Sequence, residues 1–260
     1  MNATDTQTIH RVMHEIKRRK LEVLRVVDLT PRMRRITVGG AQLAGFISLG
    51  SDDHVKLFFP QTAEELATLE NLELSAGMKS KTMPPMRDYT PRRYDLDTLE
   101  LDIDFVLHGD GPAATWAAQA RPGQWLYIGG PRGSMVVPDM FDSYLLIGDE
   151  TALPAIARRL EELPANRRAL VVVEVENAAE EQTLNSAASV DVIWVHRDGS
   201  NNLLEIVQGL SIPQGKLYAW VATETALSRK VRRVLLDTHG LNEEFVKAAG
   251  YWRLDSSTED

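Results

Sequence analysis

The sequence predicts a β-barrel followed by an α/β domain, and three observations carry that prediction. Up to about Pro138, short β-rich runs are broken by Gly, Pro and polar clusters, the rhythm of a small antiparallel barrel. Beyond Pro138, strand-sized apolar runs alternate with helical stripes, as in a parallel sheet covered by helices. No internal repeat and no low-complexity segment interrupts either pattern, so the 260 residues divide into 1–138 and 139–260.

In the first part, residues 21–29, 35–38, 54–59, 99–107 and 125–128 carry the β-branched and aromatic content of strands. Leu101, Ile103, Phe105 and Leu107 alternate with Asp102, Asp104 and Val106, which predicts a strand buried on one face. Between Gln61 and Arg87, and above all over 76–86, a polar segment with Met and Pro reads as a loop. In the second part the run 144–147 leads into a helical stripe of Leu153, Ile156, Ala157 and Leu160, with Pro154 in its first turn and Pro164 as its stop. Buried strands follow at 170–175, 190–195 and 217–222. A last helix turns Leu227, Val231, Val234 and Leu235 inward and Arg229, Lys230, Arg232 and Arg233 outward, a solvated basic face.

Composition excludes several chemistries. The chain holds no cysteine, so these residues form no disulfide, thiolate nucleophile, iron-sulfur cluster or Cys-based zinc site. Any electron transfer must run through a bound organic cofactor. With 29 Lys+Arg against 37 Asp+Glu the net charge is −8, which argues against nonspecific nucleic-acid binding. No apolar run has the length of a signal or membrane span, so the expectation is a cytoplasmic protein without a membrane partner. There is no G-x-S-x-G, H-E-x-x-H or Walker lysine loop, and His10, His14, His54, His108, His196 and His239 lack metal-ligand spacing.

Four motifs remain. Arg87-Asp88-Tyr89-Thr90 can pair with a phosphate, stack on a flat ring and hydrogen-bond its edge; it also fits an exposed strand end with a cation on a tyrosine. The run from His108 to Trp116 turns a strand through Gly109 and Gly111 into a helix near Ala113, where freed backbone N–H groups can hold an anion. His108 itself reads as a structural histidine. Gly129 to Ser134 is a tight turn projecting Arg132. Gly148-Asp149-Glu150-Thr151-Ala152 stands where a strand ends and a helix begins, the place of a dinucleotide in open α/β sheets, although the full glycine fingerprint is absent.

Taken in order, the blocks 21–26 (LEVLRV), 52–60 (DDHVKLFFP), 87–91 (RDYTP), 111–117 (GPAATWA), 130–134 (GPRGS), 148–155 (GDETALPA) and 248–253 (AAGYWR) resemble the siderophore-interacting protein family, in particular its bacterial ferric-chelate reductases. The resemblance spans nearly the whole chain. It implies a ferredoxin-reductase-like fold, an FAD-binding barrel before an NAD(P)H-binding domain. It also implies an oxidoreductase that passes electrons from NADPH, with NADH as a second candidate, through FAD to iron(III) in a siderophore or other chelate. By motif, Arg87, Asp88, Tyr89, Thr90, Asp104, Val106, His108, Ala113, Thr115 and Trp116 meet FAD. Asp149, Glu150, Thr151, Ala152, Thr223, Glu224 and Trp252 line the nicotinamide-nucleotide site, and Lys56, Arg132 and Lys247 form a basic pocket for the anionic chelate. No side chain is expected to act as a catalytic acid or base, no metal is held by protein ligands, and the molecule is expected to be a monomer. Arg197, Arg158 and Arg159 are candidates for the 2′-phosphate of NADPH. Two other readings stand beside this one: a reductase of the same fold serving another acceptor, and a binder that holds ferric chelate without turnover.

Overall fold

The computed structural model describes residues 8–71 and 82–254. Two compact units emerge, one formed by Ile9–Val137 and the other by the chain from Pro138 onward.

The first unit contains β1 (His10–Met13), β2 (Arg18–Thr30), β3 (Met33–Gly39), β4 (Val55–Phe58), α1 (Ala63–Glu70), β5 (Met86–Tyr89), β6 (Arg93–Asp95), β7 (Glu100–Val106), α2 (Pro112–Gln119), β8 (Trp125–Gly129) and β9 (Gly133–Val136). Among the described residues a seven-stranded antiparallel sheet runs β5-β4-β8-β2-β3-β7-β6, and β1 pairs with β9. Leu57 of β4 and Phe105 of β7 come from opposite halves of that sheet yet share one core with Val23, Ile36 and Ile128, so the sheet is barrel-like. Ala113 and Ala117 of α2 complete the core.

Two expectations need correction here. The strand β7 is buried on both faces, because its acids are matched: Asp104 takes a bidentate Arg35, and Asp102 accepts from the Thr37 hydroxyl at 2.6 Å. The segment after Gln61 opens with a helix, not a loop. Thr62 caps α1 by accepting from the Glu65 N–H, and the Glu65 carboxylate accepts from the Gln61 N–H at 2.7 Å. Leu69 then packs against Phe58 and Tyr127. Residues 72–81 of the expected loop lie outside the described residues.

The second unit contains β10 (Ser143–Asp149), α3 (Leu153–Glu162), β11 (Arg168–Val175), β12 (Ser189–His196), α4 (Leu203–Gln208), β13 (Leu217–Glu224), α5 (Thr225–Arg233) and β14 (Val246–Trp252). Its sheet is parallel, in the order β12-β11-β10-β13-β14. The chain therefore leaves β10 toward one edge and returns to fill the other side. That reversal between β10 and β13 is where open α/β sheets bind ligands, outside the carboxyl ends of the strands. The strand β12 was expected to be buried but lies at the sheet edge, with Ser189, Asp191 and Val192 exposed. Among the described residues no helix is long and apolar enough to cross a membrane.

Candidate functional site

In the first unit the helix α2 packs on both β5 and β7, which brings the RDYT and GPAATW motifs together. Tyr89 is half-buried with its ring 4.5 Å from that of Phe105, and Trp116 of α2 lies 5.6 Å from Phe105 and 5.8 Å from Phe59. Burial pushes the Tyr89 hydroxyl well above its ordinary pKa, so it stays a neutral donor. Thr90 is buried beside it and Arg87 is exposed, donating to the Met86 carbonyl at 2.8 Å.

The start of α2 is built of small residues. Gly109 has φ +62°, and a Cβ added at Gly109 or Gly111 would meet nothing within 4 Å, so the space before the helix is open. Gly111 gives no side-chain cap and Pro112 has no N–H, leaving the first-turn donors of Ala113 and Ala114 without a capping side chain. An open cradle, unsatisfied donors and a neighbouring ring and guanidinium fit the ring and pyrophosphate of FAD.

Other expected contacts sit differently. Asp104 is buried and its carboxylate is held by Arg35 at 2.7 and 2.8 Å. Val106 is buried at the end of β7, while His108 and Thr115 are exposed beyond it. The Asp88 carboxylate accepts from Lys56 Nζ at 2.8 Å across the β4–β5 ladder.

Arg132 is exposed and makes no ion pair among the described residues. Its turn is held by groups that sequence reasoning missed. His14 donates its backbone N–H to the Arg132 carbonyl at 3.0 Å, and Arg19 donates to the Gly130 carbonyl at 3.0 Å. Ser134, almost fully buried, is a junction: its Oγ donates to Asp53 Oδ2 at 2.5 Å and accepts from the Leu49 N–H at 3.0 Å. A hydroxyl has one proton, already directed at Asp53, so the His14 Nε2 at 2.7 Å is the donor in the third bond. Asp53 also accepts from the Ser48 hydroxyl and the Gly50 N–H. Only the DDHVK block hinted at Asp53; its partners stand up to 81 residues away.

In the second unit the predicted residues gather at the carboxyl ends of β10, β13 and β14. Asp149 is buried and accepts from the Thr151 N–H and hydroxyl and, at 2.8 Å, from the Trp252 indole N–H. Burial raises its carboxyl above the ordinary range, against the pull of the Thr151 and Trp252 hydrogen bonds. Gly148 lets the turn close, since a Cβ there would collide with Ala152. Thr223 is fully buried, and Glu224 caps α5 by accepting from the Ala226 and Leu227 N–H groups. The Trp252 carbonyl accepts from Thr225. Lys247 is half-buried on β14, opposite Trp220. Lys56 and Arg132 thus belong to the first unit and Lys247 to the second.

The arginines named for a 2′-phosphate all have carboxylate partners. Arg197 forms a fork with Glu150 at 2.6 and 2.7 Å and reaches Glu174 at 3.2 Å. Arg158 is buried and donates to Glu162 at 3.0 Å, and Arg159 lies 3.9 Å from the same carboxylate.

Residues 22–135 match the siderophore-interacting FAD-binding domain and residues 141–255 the siderophore-interacting protein domain. The chain is 35% identical to a protein named NADPH-dependent ferric-chelate reductase from Escherichia coli (strain K12), over 93% of this chain and 95% of that one. It is 30% identical to the ferric vibriobactin reductase ViuB of Vibrio cholerae serotype O1, covering 93% and 91%. A siderophore utilization protein from T. fusca superposes with a TM-score of 0.85 at 38% identity, over 96% of this chain and 99% of that one. The two units share the ferredoxin-reductase-like fold with phthalate dioxygenase reductase, at a TM-score of 0.62 and 12% identity. With both halves matched and relatives aligned along nearly their full lengths, the chain belongs to the siderophore-interacting protein family.

Proposed function

We propose that this protein is an FAD-dependent reductase that uses NADPH to reduce iron(III) in ferric siderophores or other ferric chelates, releasing iron(II) in the cytoplasm. The observation that carries this reading is the open, small-residue start of α2 set beside Arg87, Tyr89 and Thr90. A bound FAD supplies the redox chemistry, taking electrons in a pair from NADPH and giving them singly to iron(III).

The chain's own residues bind and orient. Arg87 and the free N–H groups of Ala113 and Ala114 meet the pyrophosphate, while Tyr89, Thr90 and Trp116 hold the ring system, with Val106, His108 and Thr115 at the edges. Asp104 serves that site by fixing Arg35 and β7. Asp149, Glu150, Thr151, Ala152, Thr223, Glu224 and Trp252 shape the nucleotide site, with the Trp252 ring fixed by its bond to Asp149. Lys56, Arg132 and Lys247 attract the anionic chelate. Iron(II) binds hard oxygen donors more weakly than iron(III), so reduction frees the metal without a protein ligand.

The test is anaerobic mixing of the purified flavoprotein with NADPH and a ferric chelate in the presence of a ferrous-specific dye. Flavin bleaching followed by its recovery and a ferrous signal is expected. Bleaching without ferrous signal would assign the protein to another acceptor, and a preparation without flavin absorbance would remove the reductase reading.

A further inference from the structure

The two chelate-binding cations of the first unit differ in one respect. Arg132 is exposed without an ion pair among the described residues, whereas Lys56 is opposed by Asp88. The pairing follows from the fold: Lys56 and Asp88 stand directly opposite each other on β4 and β5, and Lys56 Nζ reaches Asp88 Oδ1 at 2.8 Å. Both side chains meet solvent, 35% and 49% exposed. On its other side Lys56 faces Gly129 of β8, which leads into the turn that carries Arg132.

We propose that Asp88 is a specificity-determining residue, whose carboxylate opposes Lys56 and lowers the protein's affinity for anionic chelates relative to neutral ones. The inference rests on the reading that Lys56 meets the chelate. An exposed ion pair is weak, so a compact trianion can draw the Lys56 ammonium away from Asp88. The carboxylate stays on the neighbouring strand, however, and its repulsion acts on the bound trianion. A neutral chelate feels neither effect. Asp88 thus holds the preference for highly charged substrates below what Lys56 and Arg132 would otherwise set.

Gallium(III) chelates test this, because gallium(III) has the charge and coordination of iron(III) but is not reduced. Affinities of the flavin-loaded protein for a trianionic gallium tris-catecholate and a neutral gallium tris-hydroxamate are read from tryptophan fluorescence. Both D88N and D88S should raise the ratio of catecholate to hydroxamate affinity by about two- to five-fold, the range for exposed pairs, and combination with K56A should shrink the gain to the part that direct repulsion contributes. An unchanged ratio in both folded Asp88 variants, while K56A alone weakens the tris-catecholate, would overturn the role of Asp88 only. A gain that persists undiminished with K56A would also overturn it. If K56A alone leaves tris-catecholate affinity unchanged, the substrate role of Lys56 fails and the inference with it.

Discussion

Replacing Ser134 by Ala removes one oxygen from three hydrogen bonds at once. Asp53 loses one of its three donors, the Leu49 N–H loses its acceptor, and the His14 Nε2–H loses its partner. A bond to a charged group contributes roughly 1.5–3 kcal/mol and a neutral one about 1 kcal/mol, and a stranded buried donor costs about 1–3 kcal/mol. These terms overlap at one atom and His14 is half-exposed, so the combined loss is about 3 kcal/mol rather than their sum. For a unit of this size that lowers the melting temperature by roughly 6–12 °C. Calorimetry of the flavin-loaded protein checks it, with Ser48→Ala as the control. That control removes a hydroxyl that donates to Asp53 at 2.9 Å and holds neither the Leu49 N–H nor His14, and should cost about 1.5 kcal/mol. Because the same junction holds the Arg132 turn, Ser134→Ala should also raise the KM for a ferric chelate more than it lowers kcat. If Ser134→Ala and Ser48→Ala melt together, Ser134 is one contact among several and the reasoning fails.

Asp104→Ala removes the bidentate partner of Arg35, whose side chain is 27% exposed; the expected loss is about 2–3 kcal/mol, below the 3–5 kcal/mol of a fully buried pair. An unchanged urea midpoint with lost flavin would give Asp104 a direct cofactor role instead. For Asp149 the native state holds the proton more tightly than the unfolded chain, so its contribution to stability falls as pH rises from the ordinary carboxylate range through the raised native value. Wild type should therefore lose stability relative to Asp149→Asn across that interval, and a difference that grows in the opposite direction would refute the role of burial. Glu150→Gln relieves Arg197 of one carboxylate charge and should raise the ratio of NADPH to NADH kcat/KM by about two- to five-fold; an unchanged ratio would place the 2′-phosphate elsewhere.

What the sequence made legible was local. Residues 153–160 announce α3 because its apolar positions recur at helical spacing and Pro154 suits its first turn, and α3 indeed buries Leu153, Ile156, Ala157 and Leu160. The helix α1 was missed although Thr62 and Glu65 form a readable start signal, because the Met and Pro residues downstream dominated the segment. The strand β14 was recognisable as the AAGYWR block but not as a strand, since its order comes from pairing with β13 and packing against α5, both outside the motif. At the candidate site, residues within one motif were readable as a set. Pairings across the sheet were not: alternation showed Asp104 pointing away from the core face, yet nothing near it in sequence names Arg35, 69 residues earlier. The same holds for Glu150 with Arg197 and for Ser134 with His14.

These long-range pairings also change what a net charge of −8 means for the substrate. At physiological salt a charge acts over about 8 Å, so the sum over the molecule matters less than the few groups next to the ligand. In the first unit Arg25, Arg34 and Arg35 each face a carboxylate within 2.7 Å, while Arg87 and Arg132 make no ion pair among the described residues. A nucleic acid needs a row of such cations to release its counterions. A compact trianionic chelate needs only two or three. The few groups beside the chelate therefore decide its binding more than the sum does, and Asp88 beside Lys56 sets how much negative charge a small chelate can profitably carry.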